Sequence, residues 1–122
     1  MFEISREDSF SGAHRLRGYQ GKCESLHGHN WRVKVFVGAE ELDELGMVID
    51  FAVLGKQLDE ALGAVDHKYL NEAPPFDKIN PSSENMAKYI FEEMSRRVNT
   101  PRARVTRVMV WETDRSCATY KD

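Results

Sequence analysis

Three of the four histidines in the chain, His14, His27 and His29, fall near its beginning and around a cysteine, Cys23. His27-Gly28-His29 suits a strand, where residues two apart share a face about 6–7 Å from one another. Imidazoles so placed can converge on one cation, at roughly 2.0–2.1 Å each if the ion is zinc. His14 precedes a turn-like Arg15-Leu16-Arg17-Gly18 segment that can fold it back beside the pair as a third ligand. Three histidines leave one position open, as catalytic rather than structural zinc sites do. Cys23 offers two chemistries. As a fourth ligand it would close a structural site; as a thiol near a dication it would ionise below its free pKa of about 8.5 and act as base or nucleophile.

Two other places carry reactive groups. His67, the remaining histidine, follows Asp66 in an irregular segment and titrates in the range useful for proton transfer. Glu112 ends the apolar run Val108-Met109-Val110-Trp111; taken alone it is an ordinary exposed strand terminus. Arg15, Arg17 and Lys22 form a basic cluster between His14 and Cys23 that could draw a phosphate towards a neighbouring metal.

The elements that must position these groups follow from periodicity. Phe2, Ile4 and Phe10, punctuated by charges, imply a strand over residues 2–14, with Gly18 and Gly21 in the connection after it. His27, His29, Trp31, Val33, Val35 and Val37 alternate with Asn30, Arg32 and Lys34, which sets the proposed ligands in line with a buried stripe. Asp50 can cap a helix with Phe51, Leu54, Leu58, Leu62 and Val65 on one face, ending near Gly63. Residues 66–80, with Pro74 and Pro75, form a long loop of the kind that often carries function. Pro81, Ser82 and Ser83 open a second helix bearing Met86, Ala87, Ile90, Phe91, Met94 and Val98. Val105–Glu112 and Cys117–Tyr120 make a hairpin about Thr113–Ser116, with Cys117 expected to pack. The order β-β-α-α-β-β gives an α+β domain over residues 1–122, a four-stranded antiparallel sheet covered by two helices. Open sheet edges invite closure by oligomerisation.

Composition narrows the function. With 122 residues, 41% hydrophobic and 30% charged, the chain suits one globular domain. No apolar run reaches the roughly 18–20 residues that cross a bilayer, and Met1–Arg6 resembles no export signal, so the cytoplasm is the default address. Two cysteines make no disulfide framework. A net charge of -3 argues against a general nucleic-acid binder but leaves an anionic small molecule open.

The motifs Phe10-Ser11-Gly12-Ala13-His14-Arg15-Leu16, Cys23-x-x-x-His27-Gly28-His29-Asn30 and Gly46-Met47-Val48-Ile49-Asp50-Phe51 resemble the 6-pyruvoyltetrahydropterin synthase family. So do Asp66-His67-Lys68-Tyr69-Leu70-Asn71, Asn80-Pro81-Ser82-Ser83-Glu84-Asn85 and Val110-Trp111-Glu112-Thr113, so the resemblance spans nearly the whole chain. The short gap between Cys23 and His27 is most similar to the bacterial 6-carboxytetrahydropterin synthases of queuosine biosynthesis. The resemblance implies a tunnelling fold assembled by its sheet edges into trimers or dimers of trimers. It implies Zn2+ on His14, His27 and His29, Cys23 as base, Asp66 and His67 as proton relay, Glu112 gripping the pterin ring, and Ser82 and Ser83 lining the pocket. The implied substrate is 7,8-dihydroneopterin triphosphate and the implied product 6-carboxytetrahydropterin. The alternatives are a 6-pyruvoyl product, a non-catalytic zinc- or pterin-binding module, and carbon dioxide hydration on three histidines, which leaves Glu112 and Asp66-His67 without a task.

Overall fold

The computed structural model describes residues 1–19 and 25–122, so Cys23 and Lys22 lie outside the described residues. The chain is built on a long antiparallel ribbon. Strand β1 (Phe2–His14) pairs with β2 (His27–Ala39) without a break, from Phe2↔Ala39 to His14↔His27. Alternation explains the pairing face: Trp31, Val33, Val35 and Val37 are all fully buried, while Arg32 and Lys34 point the other way. Trp31 stacks on Phe10 of β1, ring centroids 5.1 Å apart. The metal-binding candidates therefore sit at one end of a stripe whose other members form the core.

Strand β4 (Ala103–Thr113) adds antiparallel to β2, and β5 (Ser116–Lys121) returns along β4 through a hairpin at Asp114-Arg115. Helices α1 (Phe51–Leu62) and α2 (Ser83–Val98) cover the apolar face. Asp50 caps α1 by accepting from the Ala52 N–H at 2.7 Å, and Ser82 caps α2 by accepting from the Asn85 N–H at 3.1 Å. Leu54, Leu58 and Leu62 of α1 and Met86, Ile90 and Met94 of α2 are buried against the valines of β2 and β4. Among the described residues no helix is long and apolar enough to cross a membrane.

Three expectations are corrected. The sheet has five strands rather than four, because Lys68–Tyr69 forms a two-residue strand, β3, parallel to Gly12–Ala13 of β1. Two residues are too few to show a period, so this edge was invisible in the hydrophobic pattern. Phe51 has the spacing of the α1 stripe, yet it is 54% exposed in the first turn, where it lines an open cleft with Phe2 and Ile4 of β1. Cys117 does not pack; it is a free, exposed thiol on the edge strand β5.

Candidate metal centre

The side chains of His14, His27, His29 and Glu112 meet at the end of the β1–β2 ribbon, with one ligand atom from each all within 4.8 Å. Strand pairing brings them there. His14 and His27 are register partners, and His29 is the next residue on that face of β2. Glu112 arrives from β4 by the same rule, one step beyond Val108 and Val110 on the core-facing stripe. It falls at a bulge, since Trp111 pairs with Cys117 and Thr113 with Ser116, leaving Glu112 without a ladder partner. Trp31 forms the floor: its ring lies edge-on to His14 and His29, centroids 4.9 and 5.1 Å away.

Two imidazoles are held by backbone carbonyls. His14 Nδ1 donates to Pro81 O at 2.7 Å, and His27 Nδ1 donates to Ser25 O at 2.6 Å. In the neutral tautomer that donates from Nδ1, each ring turns an acceptor Nε2 inward, and the two Nε2 atoms stand 3.1 Å apart. Glu112 Oε1 lies 3.1 Å from His14 Nε2 and 3.0 Å from His29 Nε2. His29 Nε2 is buried and makes no aligned hydrogen bond with any described residue. Burial holds the His29 imidazolium pKa below its usual value, against an opposing pull from the Glu112 carboxylate, and His14 and His27 add to the lowering. Lone pairs facing one another at this range repel unless a cation stands among them. The donor set of imidazole nitrogens and a carboxylate, with carbonyls fixing the tautomers, is what a borderline divalent ion such as zinc requires. The residues fit such an ion.

The Pro81 carbonyl is itself positioned by the start of α2. Asn85 Nδ2 donates to Asn80 O at 2.8 Å, and Asn80 accepts from Arg17 N at 2.9 Å while donating to Arg17 O at 3.0 Å. Asn71, only 7% exposed, makes the same double bond to the backbone of Arg15, at 2.9 and 3.0 Å. The Arg17 guanidinium donates to the carbonyls of Ile79, Asn71 and Phe76. Arg17 thus braces loop 71–80, and it does not extend towards a phosphate as its place in a basic cluster suggests. Asn71 and Asn80 were not singled out by sequence as site residues; each clamps the backbone of the chain that leaves His14.

Asp66 and His67 are not in this cluster. They sit across β1 from β2, where Asp66 Oδ1 accepts from Ser11 N at 3.0 Å and His67 N donates to Ser11 O at 2.6 Å. The Ser11 N–H, ahead of the neighbouring His67, holds the Asp66 carboxyl below its usual range despite some desolvation. Asp66 Oδ1 also contacts His67 Nδ1 at 3.0 Å, which orients the ring, and the His67 side chain is 81% exposed. His67 has a φ of 57°, a left-handed conformation that a non-glycine residue adopts when the surroundings enforce it. It lies on the wall of an open cleft of about 500 Å3 whose floor is Ser11, Ala13, Gly28 and Asn30 and which His29 also lines. Ser82 uses its hydroxyl oxygen to cap α2, and Ser83 is half-buried in the first turn.

Residues 3–122 match the family model described as 6-pyruvoyl tetrahydropterin synthase. The chain belongs to the 6-pyruvoyl tetrahydropterin synthase family. Among similar proteins, the 6-carboxy-5,6,7,8-tetrahydropterin synthase of Synechocystis sp. is 40% identical over 99 residues, covering 77% of this chain and 75% of that one. The 6-pyruvoyl tetrahydrobiopterin synthase of Homo sapiens is 35% identical over 133 residues, covering 98% of this chain and 90% of that one. The solved structure of Caenorhabditis elegans 6-pyruvoyl tetrahydropterin synthase superposes with a TM-score of 0.86 at 36% identity, covering 99% of this chain and 95% of that one. The five-stranded sheet with two helices is thus the tunnelling fold of this family.

Proposed function

We propose that the chain is a zinc-dependent lyase that converts 7,8-dihydroneopterin triphosphate to 6-carboxy-5,6,7,8-tetrahydropterin, consuming one water and releasing triphosphate and acetaldehyde, in the biosynthesis of queuosine and other 7-deazapurines. The observation that carries this is the pair of Nε2 atoms of His14 and His27, 3.1 Å apart, with each Nδ1 placed against a backbone carbonyl. His14, His27 and His29 would hold the ion. Bound there, zinc supplies Lewis acidity that makes a substrate hydroxyl and its adjacent C–H bond more acidic. Cys23 takes a proton as the base. His67, oriented by Asp66, returns a proton elsewhere on the side chain. Glu112 accepts the paired N–H donors of the pterin's aminopyrimidinone edge, and Ser82 and Ser83 line the ring pocket. The exposed dyad suits service to a neighbouring subunit's metal, in a cytoplasmic trimer or dimer of trimers of one-domain chains joined by their sheet edges.

The rival product is 6-pyruvoyltetrahydropterin, favoured by the nearly full-length likeness to the human relative of that name. Zinc-loaded protein incubated with 7,8-dihydroneopterin triphosphate separates the two. Mass analysis should find the 6-carboxy product with one acetaldehyde per triphosphate. A pyruvoyl product without acetaldehyde overturns the carboxy assignment, and absence of turnover with zinc bound overturns both.

A further inference from the structure

The Glu112 carboxylate stands where a substrate oxygen has to arrive. Its Oε1 contacts Nε2 of His14 and of His29 at 3.1 and 3.0 Å, on the side of the histidine cluster left by the three rings. Zinc bonds of about 2.0–2.2 Å to nitrogen and oxygen place tetrahedral ligands about 3.3–3.5 Å apart, close to these separations. With its Nδ1 donating to Pro81 O, a neutral His14 offers Nε2 as an acceptor like the carboxylate oxygen, and His29 Nε2 makes no aligned hydrogen bond, so an ion shared by these groups accounts for the contacts. We infer that Glu112 is the metal's fourth protein ligand while the site holds no substrate, and that it must leave the ion before a substrate oxygen can bind.

Two further features suit an exchangeable ligand. Glu112 belongs to a bulge beside the Asp114-Arg115 turn, so its movement disturbs no ladder hydrogen bond. Its side chain is 26% exposed, whereas that of His14 is 1% exposed and pinned to Pro81. An incoming ring can therefore reach Glu112 but not the imidazole beneath it. A ligand offering two adjacent N–H donors compensates the carboxylate for the lost ion contact, which couples ring recognition to opening of the metal position. The identity of that ring rests on the pterin-synthase function proposed above; the ligation itself rests on the geometry alone.

The test is zinc affinity measured without substrate, by competition between the metal-free protein and a chromophoric chelator. Glu112→Gln and Glu112→Ala should each bind zinc at least about 10-fold more weakly than the native chain, the lower end of what even outer-sphere partners contribute. Thermal unfolding of the metal-free forms should coincide, and the visible spectrum of the cobalt-substituted variants should differ from that of the native chain. Equal affinities and superimposable cobalt spectra overturn the ligation. In the native protein, bare pterin without a side chain should weaken zinc binding by the same factor by which zinc weakens pterin binding. Pterin that binds without this antagonism overturns the exchange. Pterin that binds neither form overturns the proposed function instead, and the zinc titration still decides the ligation.

Discussion

The cluster at His14 and the dyad at His67 use the same side chain in opposite settings. His14 is 1% exposed, orders its ring on a main-chain carbonyl and faces three other ligand groups of its own chain. His67 is turned outward on a left-handed backbone, and the side chain that orders it is its neighbour Asp66. A metal site needs several groups held within a fraction of an ångström of one geometry, which only packed strands provide. A proton donor needs one group with access to its substrate, and a loop braced on one strand suffices. The difference teaches that the chain assembles its candidate metal site from its own packed strands and turns the Asp66-His67 pair towards solvent.

The comparison breaks most visibly on substitution of the two histidines. His14→Ala should lower zinc affinity by more than about 100-fold, beyond the range for outer-sphere partners, measured by chelator competition. His67→Asn should leave zinc affinity unchanged while turnover of 7,8-dihydroneopterin triphosphate falls by about 10²–10⁴-fold, the usual worth of a positioned acid or base. If His67→Asn loses zinc, the two regions are one site and the contrast fails. Asn71→Ala sharpens the comparison from the scaffold side. It strips two backbone partners from Arg15 in a nearly buried position and should cost about 2–3 kcal/mol in a denaturant titration.

Acidity separates the two regions with the smallest effect. Burial disfavours a charged His29, so folding of the metal-free protein is favoured above about pH 6.5 and loses that contribution as pH falls through the lower folded value. Asp66 is depressed from a lower starting point, so its contribution survives to about pH 4 and is lost only below it. Thermal unfolding across pH 3–8 should show two acid steps, the lower one shared with the depressed carboxyls of Glu3 and Asp43, and Asp66→Asn should reduce the lower one alone. A single step common to both proteins would mean that the regions titrate together.

Much of this was legible beforehand. The His-x-His spacing at the head of an alternating run set His27 and His29 in line with the core stripe, and β2 alternates in burial through Trp31, Val33 and Val35 as that spacing requires. The caps at Asp50 and Ser82 and the hairpin after Thr113 were equally local, set by side chains reaching backbone groups two or three residues on. Strand β3 was not, because two residues carry no period. Nor was the approach of Glu112 to the histidines, although its parity with Val108 and Val110 pointed to the same face. Parity names a face, but which strand of that face lies beside β2 is a matter of topology.

By itself, then, the order of residues determined the longer elements and most of their buried faces, and it set His27 and His29 on one face at the head of β2. Only the folded sheet decided which of them meet: β1 beside β2 in one register puts His14 against His27, and β4 on the far side delivers Glu112. The reason is range. Periodicity and capping act over a few neighbours along the chain, whereas a coordination shell is assembled from strands dozens of residues apart, whose alignment is chosen by burial of the whole apolar face at once.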